Sequence, residues 1–360
     1  MERGYLGEIN QVDMKHYRPP QAWTGRIDGF SAPYLRWHQV VLPVDLRQQA
    51  LPPLATGEKG LALLGFACDE GVRRNKGRVG AVKGPQALRS ACASLPMHFT
   101  GEFRLVDAGD VTCEDGDLEA AQATLERAVQ SLLEAGYRPL LLGGGHEIMY
   151  GHACGVQQFL EAKALHNTPH TSDVQQAVKA MPTLGFINFD AHFDIREPDA
   201  AGPSSGTGFW QLATESQAAG RPFRYLALGI QPMGNTQALF QLAHTHRVEY
   251  VIADAFHFSK TELTLKTIRN FIAGVDHIYF TTCLDVFSAA NAPGVSAPAP
   301  NGILPTGLAL QCYRQILQCG KVISTDIAEL NPGYDSDNRT AKLAAALVFE
   351  TASAYLGLVY

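Results

Sequence analysis

Several things are missing from this chain of 360 residues, and each absence narrows what it can do. There is no block of basic residues. The 29 Lys and Arg stand against 35 Asp and Glu, for a net charge of −6. That argues against nucleic acid as a partner, because binding phosphate backbones takes a clustered positive face. No apolar run reaches the roughly 18 residues of a membrane-spanning helix. The opening "MERGYLGEINQVDMKHY" has no apolar leader core, so neither a membrane partner nor secretion is expected. The seven cysteines are scattered, with no CxxC and no paired spacing, which points to reduced thiols and a cytoplasmic setting. No Lys-Ser or Lys-Thr follows the glycines of "LLLGGGHE", so this turn is not a P-loop for phosphate.

What is present is the composition of a globular protein, 46% apolar and 18% charged, with enough chain for one large α/β domain or two ordinary ones. Residues 1–58 carry six prolines and little periodicity, and read as an N-terminal extension packed on the body. From there apolar strands alternate with helices. "GLALLGFAC", "FRLVDAGDV", "RPLLLGGGHE", "LGFINF", "RYLALGI", "VEYVIADAF", "HIYFTTCLDVF" and "KVISTDIAEL" read as strands. "DLEAAQATLERAVQSLLEAG" has apolar residues at three- and four-residue spacing and predicts a helix stopped at Gly136. Another helix is expected to begin near Pro85, a polar stretch near 166–173 leads to a further helix, and "TAKLAAALVFETASAYL" closes the chain. Continuous apolar strands alternating with helices predict an α/β fold with a parallel sheet covered on both faces. Residues 1–360 are expected to form a single domain.

The chemistry gathers where the strands end, as it does in open parallel sheets. In "LGFINFDAHFDIR", Asp190, His192 and Asp194 follow a buried-looking run at alternate positions. If extended geometry persists past Phe189, all three point to one side. Burying such charges costs several kcal/mol each unless they are paired or bound to metal. Two carboxylates and an imidazole suit Mn, Fe or Zn. A His–carboxylate hydrogen-bonded turn is the plainer alternative. His146 ends another strand, and its glycines would let it approach a crowded site. Asp285 and Glu329 end two more. Each alone could be an ordinary strand-end residue; four strands supplying six such candidates favour one shared site.

In this order, "GGGHE", "NFDAHFDIR", "CLDVFSAANAPGVSAP" and "DIAELNP" resemble the metal-binding motifs of the arginase–agmatinase ureohydrolase superfamily, over about residues 60–355. "WTGRIDG", "DEGVRRNKGRVGAVKGP", "GGGHE" and "PGVSAP" are similar to its formimidoylglutamase branch. The resemblance implies a three-layer arginase-like fold, with a parallel, about eight-stranded sheet between helices. It implies two Mn(2+) per subunit. His146 and Asp194 match terminal ligands of one ion, His192 and Asp285 match ligands of the other, and Asp190 matches a bridging ligand. The superfamily often forms trimers or hexamers, so a homo-oligomer is also in view.

One position departs from that pattern. Cys283 stands where the family has a second bridging Asp. A thiolate offers one donor atom, is softer than carboxylate, and must first lose a proton from a reference pKa of ~8.5. Cys283 could also be simply a small buried residue. A two-metal site with weakened occupancy, a one-metal site and an empty site all remain open.

The activity implied is metal-dependent hydrolysis of N-formimidoyl-L-glutamate to L-glutamate and formamide, a step of histidine degradation. Asp194 is then the candidate proton carrier, and Glu329 the candidate to hold the cationic formimidoyl nitrogens. Arg196 could grip a substrate carboxylate, unless it pairs with Glu197 or Asp199. Phe209 takes the place of a proton-shuttling His in the arginase loop. Arg73, Arg74 and Arg78 add positive charge after the first strand or serve the structure. Two other readings are a ureohydrolase acting on a guanidino acid or agmatine, and a non-catalytic binding protein with an impaired metal site.

Overall fold

The computed structural model describes residues 14–99, 101–167 and 181–358. Its centre is one sheet built from β1 (Tyr17–Arg18), β2 (Leu42–Pro43), β3 (Lys59–Ala67), β4 (Phe103–Thr112), β5 (Tyr137–Gly143), β6 (Leu184–Phe189), β7 (Arg224–Ile230), β8 (Glu249–Ile252), β9 (His277–Cys283) and β10 (Val322–Ala328). The order across the sheet is β1-β4-β3-β5-β10-β9-β6-β7-β8, with β2 also on β4. β3 to β10 are all parallel to their neighbours, which gives the eight parallel strands expected. The two-residue β1 and β2 extend the edge, β1 antiparallel.

The strands are apolar throughout because both faces are covered. In β3, Leu61 and Leu63 enter the core on one face while Ala62, Leu64 and Phe66 enter the core on the other. Helices Gly84–Cys92, Thr261–Ala273, Leu308–Leu317 and Arg339–Leu356 cover the first face. Leu118–Glu134, Ile148–Asn167, Gly208–Ala218 and Gln237–Thr245 cover the second.

Local signals act where they were read. Asp117 caps the helix Leu118–Glu134, its side chain accepting the backbone N–H of Ala120 at 3.0 Å. Gly136, at φ 82°, supplies the left-handed turn that ends the helix. "VEYVIADAF" is only partly a strand: β8 stops at Ile252, and Ala253–Ala255 turn as a 3-10 helix. The polar stretch near 166–173 and the helix expected after it fall largely on 168–180, outside the described residues.

The N-terminal segment is tied to the sheet edge by polar contacts as well as by β1 and β2. Tyr17 donates to the carbonyl of Ala108 at 2.8 Å, and Trp23 Nε1 donates to Asp107 at 2.7 Å. All seven cysteines are free of disulfides. Among the described residues no helix is long and apolar enough to cross a membrane.

Candidate metal centre

Four strands in the middle of the sheet, β5-β10-β9-β6, are consecutive neighbours. Their carboxyl ends run into His146, Glu329, Cys283 with Asp285, and Asp190 with His192 and Asp194. Parallel strands in near register stop at one level, so residues 40 to 180 positions apart in sequence meet at one edge.

The approach of β5 to this edge depends on its glycines. A Cβ on Gly144 would lie 1.9 Å from the carbonyl oxygen of Cys68, and one on Gly143 would lie 2.7 Å from that of Ile327. The turn therefore packs backbone on backbone and carries His146 inward. Two site residues, Asp194 (φ 44°) and Glu329 (φ 72°), sit in the left-handed region despite their side chains. Such conformations cost on the order of 1–3 kcal/mol and persist where the surroundings enforce them.

All five expected ligands converge. His146 Nδ1 lies 2.7 Å from Asp194 Oδ2 and 3.0 Å from Asp190 Oδ2. His192 Nδ1 lies 3.2 Å from Asp285 Oδ2 and 3.4 Å from Asp190 Oδ1. Donor atoms fall into two groups, His146 with Asp190 and Cys283, and Asp190 with His192 and Asp285, each within 4.8 Å. Asp190 belongs to both. Its carboxylate is held by the backbone N–H of His192 at 2.7 Å and by Asn188 Nδ2 at 3.1 Å.

The electrostatics are those of a crowded buried site. Burial would raise the Asp190 carboxyl, but hydrogen bonds with His146 and His192 outweigh it and hold the group well below the usual range. Burial lowers both imidazoles, and their carboxylate neighbours more than reverse this, so both His146 and His192 are pushed well above the ordinary histidine value. Burial and the charge of Asp190 push Asp194 up to about 6. Burial, then Glu147 and Asp285, push Glu329 up to about 8.

Cys283 is buried at the centre. Burial and then the carboxylates of Asp190, Asp285, Glu329 and Asp194 hold its thiol far above the usual range. Such a group is a neutral thiol rather than a thiolate.

Beside these groups is a cavity of about 190 Å³, lined among others by Asp194, Arg196, Asp285 and Glu329. Glu329 accepts the backbone N–H of His146 through Oε1 at 2.9 Å, while its Oε2 is buried without a hydrogen-bond partner among the described residues. Asp285 Oδ1 is likewise buried and unpartnered. Arg196 is exposed on the cavity wall. Among the described residues its guanidinium has no ion-pair partner, so it does not pair with Glu197 or Asp199.

Other candidates serve the structure. Arg73 and Arg74 pair with Glu70, and Arg74 also with Glu119. Arg78 donates to the carbonyls of Val295 and Ser296 and lies over the ring of Tyr334. Phe209 is fully buried, stacked on Tyr225 at 3.9 Å between ring centroids, and its backbone N–H donates to the carbonyl of Asp194. Sequence reasoning missed the polar groups inside the sheet beneath His146: Tyr279, Thr281, Ser324, Asp326 and His152, all buried. The signal was there, as polar residues at alternate positions in otherwise apolar strands.

A doubly covered parallel sheet carries, at its carboxyl edge, a cluster of histidines and aspartates with the donor chemistry of a divalent-metal site. The chain belongs to the arginase family, whose sequence model matches residues 59–353. Among its relatives, the formimidoylglutamase of Geobacillus thermodenitrificans is 42% identical over 337 residues, covering 93% of this chain and 96% of that protein. The formimidoylglutamase of Aeromonas salmonicida is 43% identical over 329 residues, covering 91% and 96%. Of solved structures, Trypanosoma cruzi formiminoglutamase with Mn2+ superposes with a TM-score of 0.66 at 25% identity, over 83% of this chain and 94% of that one. Bacillus subtilis formimidoylglutamase, at 24% identity and a TM-score of 0.67 over 85% and 88% of the chains, shares the fold.

Proposed function

We propose that this chain hydrolyses N-formimidoyl-L-glutamate to L-glutamate and formamide, as a step of histidine degradation, with two manganese ions as cofactor. The observation that carries the reading is the polarity of the cavity. Its floor is acidic and holds Glu329 Oε2, which has no hydrogen-bond partner among the described residues, while Arg196 is the one Lys or Arg among the described residues of its wall. A substrate with a cationic amidine at one end and carboxylates at the other matches that arrangement. The seven unpaired cysteines suit a reducing cytoplasm.

The donor set fits divalent ions. It is rich in carboxylate and imidazole, its imidazoles turn Nδ1 inward, and one of its buried carboxyl oxygens, Asp285 Oδ1, has no hydrogen-bond partner among the described residues. His146 and Asp194 would hold one ion, His192 and Asp285 the other, and Asp190 both, with Cys283 in the place of a second shared carboxylate. Bound there, the ions supply Lewis-acid activation of water near neutral pH.

The chain's own groups do the rest. Glu329 Oε2 takes the N–H groups of the formimidoyl cation by charge-assisted hydrogen bonds and sets its carbon toward Asp190 and Asp194. Arg196 grips a carboxylate of the glutamyl end and fixes register. Water adds to the formimidoyl carbon, Asp194 takes its proton, and the same carboxyl passes it to the departing amine. The C–N bond breaks, leaving glutamate and formamide.

The experiment is a substrate panel with protein prepared in Mn, reading formamide or urea release from formimidoylglutamate, arginine, a guanidino acid and agmatine. Preference for formimidoylglutamate is expected. Preference for agmatine, which has no carboxylate for Arg196, would overturn the reading.

A further inference from the structure

We propose that Thr281 and Asp326 are positioning residues that fix the His146 ring with Nδ1, and only Nδ1, turned toward Asp190 and Asp194. Neither lines the cavity, so they act through His146. Only the metal arm of the test rests on the function proposed above.

Thr281 on β9 and Asp326 on β10 are direct cross-strand partners, and so are Tyr279 and Ser324, two residues earlier on each strand. Side chains two apart share a face, so all four stand together under the site. His152, from the helix Ile148–Asn167, joins them. Its Nε2 lies 2.5 Å from Ser324 Oγ.

Asp326 is met by three polar groups, two of them hydroxyl donors. Thr281 Oγ1 donates to its Oδ1 at 2.5 Å, His152 Nδ1 lies 2.7 Å from its Oδ2, and the hydroxyl of Tyr279 donates to the same Oδ2. Both hydroxyls therefore spend their protons on this carboxyl.

The consequence is a proton count. Thr281 has one hydroxyl proton, and Asp326 takes it. What the hydroxyl turns to His146 Nε2, 2.9 Å away, is therefore a lone pair. Two facing lone pairs would repel in a site where nothing else can intervene, so Nε2 carries a hydrogen and donates it. In a neutral ring the other nitrogen, Nδ1, then bears the free electron pair, and Nδ1 is the atom beside Asp190 and Asp194. A partner on the remote nitrogen commonly sets both the tautomer and the orientation of a ligating histidine. The Glu329 carboxylate holds the His146 backbone but does not control the ring.

The test uses Thr281→Val, which removes the hydroxyl at nearly constant shape, and Thr281→Ser, which keeps it and drops the methyl. The first readout needs no metal. In metal-free protein labelled with 15N-histidine, at a pH high enough for the His146 ring to be neutral, proton–nitrogen correlation should show a slowly exchanging Nε2–H with an unprotonated Nδ1, assigned to His146 by its loss in His146→Asn. It should persist in Thr281→Ser and vanish in Thr281→Val. The second readout is titration with Mn2+, followed by the paramagnetic resonance of the free ion. One of two binding steps should weaken by about 10–100-fold in Thr281→Val, while Thr281→Ser stays with the unmodified protein. A purely structural role would lower the melting temperature of both variants and leave the Nε2–H signal in Thr281→Val. Absence of a proton on Nε2 in the unmodified protein overturns the proposal even if no variant folds. Failure of the unmodified protein to bind Mn2+, with the Nε2–H behaving as stated, sinks the metal reading and leaves the positioning role standing.

Discussion

The carboxyl of Glu329 accepts the backbone N–H of His146 at 2.9 Å and keeps its other oxygen, Oε2, buried and unpartnered among the described residues. One side chain thus braces the turn that carries a candidate ligand and offers a vacant acceptor to the cavity. Glu329→Gln retains an acceptor for His146 N–H but loses the charge. A hydrogen bond to a charged group is worth ~1.5–3 kcal/mol, so kcat/KM for formimidoylglutamate should fall roughly ten- to a hundredfold. The melting temperature should change little. Unaltered kinetics would remove Glu329 from substrate binding.

Arg196 has no ion-pair partner among the described residues and sits on the cavity wall. Arg196→Ala should therefore lower kcat/KM by a similar roughly ten- to a hundredfold, again from one charged hydrogen bond, and Arg196→Lys should recover only part, because an ammonium cannot grip a carboxylate bidentately. The contrast to measure is with agmatine, whose slow turnover, if any, should not drop.

Cys283 is a neutral thiol in a ring of carboxylates, so it does not supply the second bridging charge. Protein prepared without added Mn should hold less than two ions per chain. Cys283→Asp should raise Mn affinity, most of all for the ion between His192 and Asp285. Calorimetric titration of both proteins decides it. Two tightly bound ions in the unmodified chain, with no gain on substitution, would show that the cysteine is tolerated.

Metal binding should release protons, because the imidazoles of His146 and His192 are pushed well above their ordinary value in the metal-free site and ligating histidine must be neutral. Mn affinity should rise with pH, and the binding heat should depend on the ionisation heat of the buffer. The same shifts set stability. A folded pKa raised above the unfolded value, ~6.5 for histidine, adds stability that is complete below it and is lost as pH climbs through the folded value. Glu329, pushed up to about 8, works in the same direction, while the depressed Asp190 matters only at acid pH. Metal-free protein should accordingly melt at lower temperature at pH 9 than at pH 6.5. A melting temperature that rises over that interval would contradict the assigned charges.

The sequence by itself determined the layers and the address of the site. Residues such as Leu61, Ala62, Leu63 and Leu64 leave a strand no face to show to water, and that demands helices on both sides. Asp190, His192 and Asp194 at alternate positions after Phe189 can converge because strand geometry has a period of two. These are local properties, legible without knowing what lies next to what. The tertiary structure alone decided which strands became neighbours. Nothing within "HIYFTTCLDVF" says that Thr281 will pair with Asp326 from β10, or that His146 will stand over both. It also decided between uses of like residues: Arg73, Arg74 and Arg78 were spent on carboxylates, carbonyls and a ring, whereas Arg196 was left facing the cavity. A side chain's charge is written in the sequence, but its hydrogen-bond partners, and with them its protonation and its role, come from segments far away along the chain.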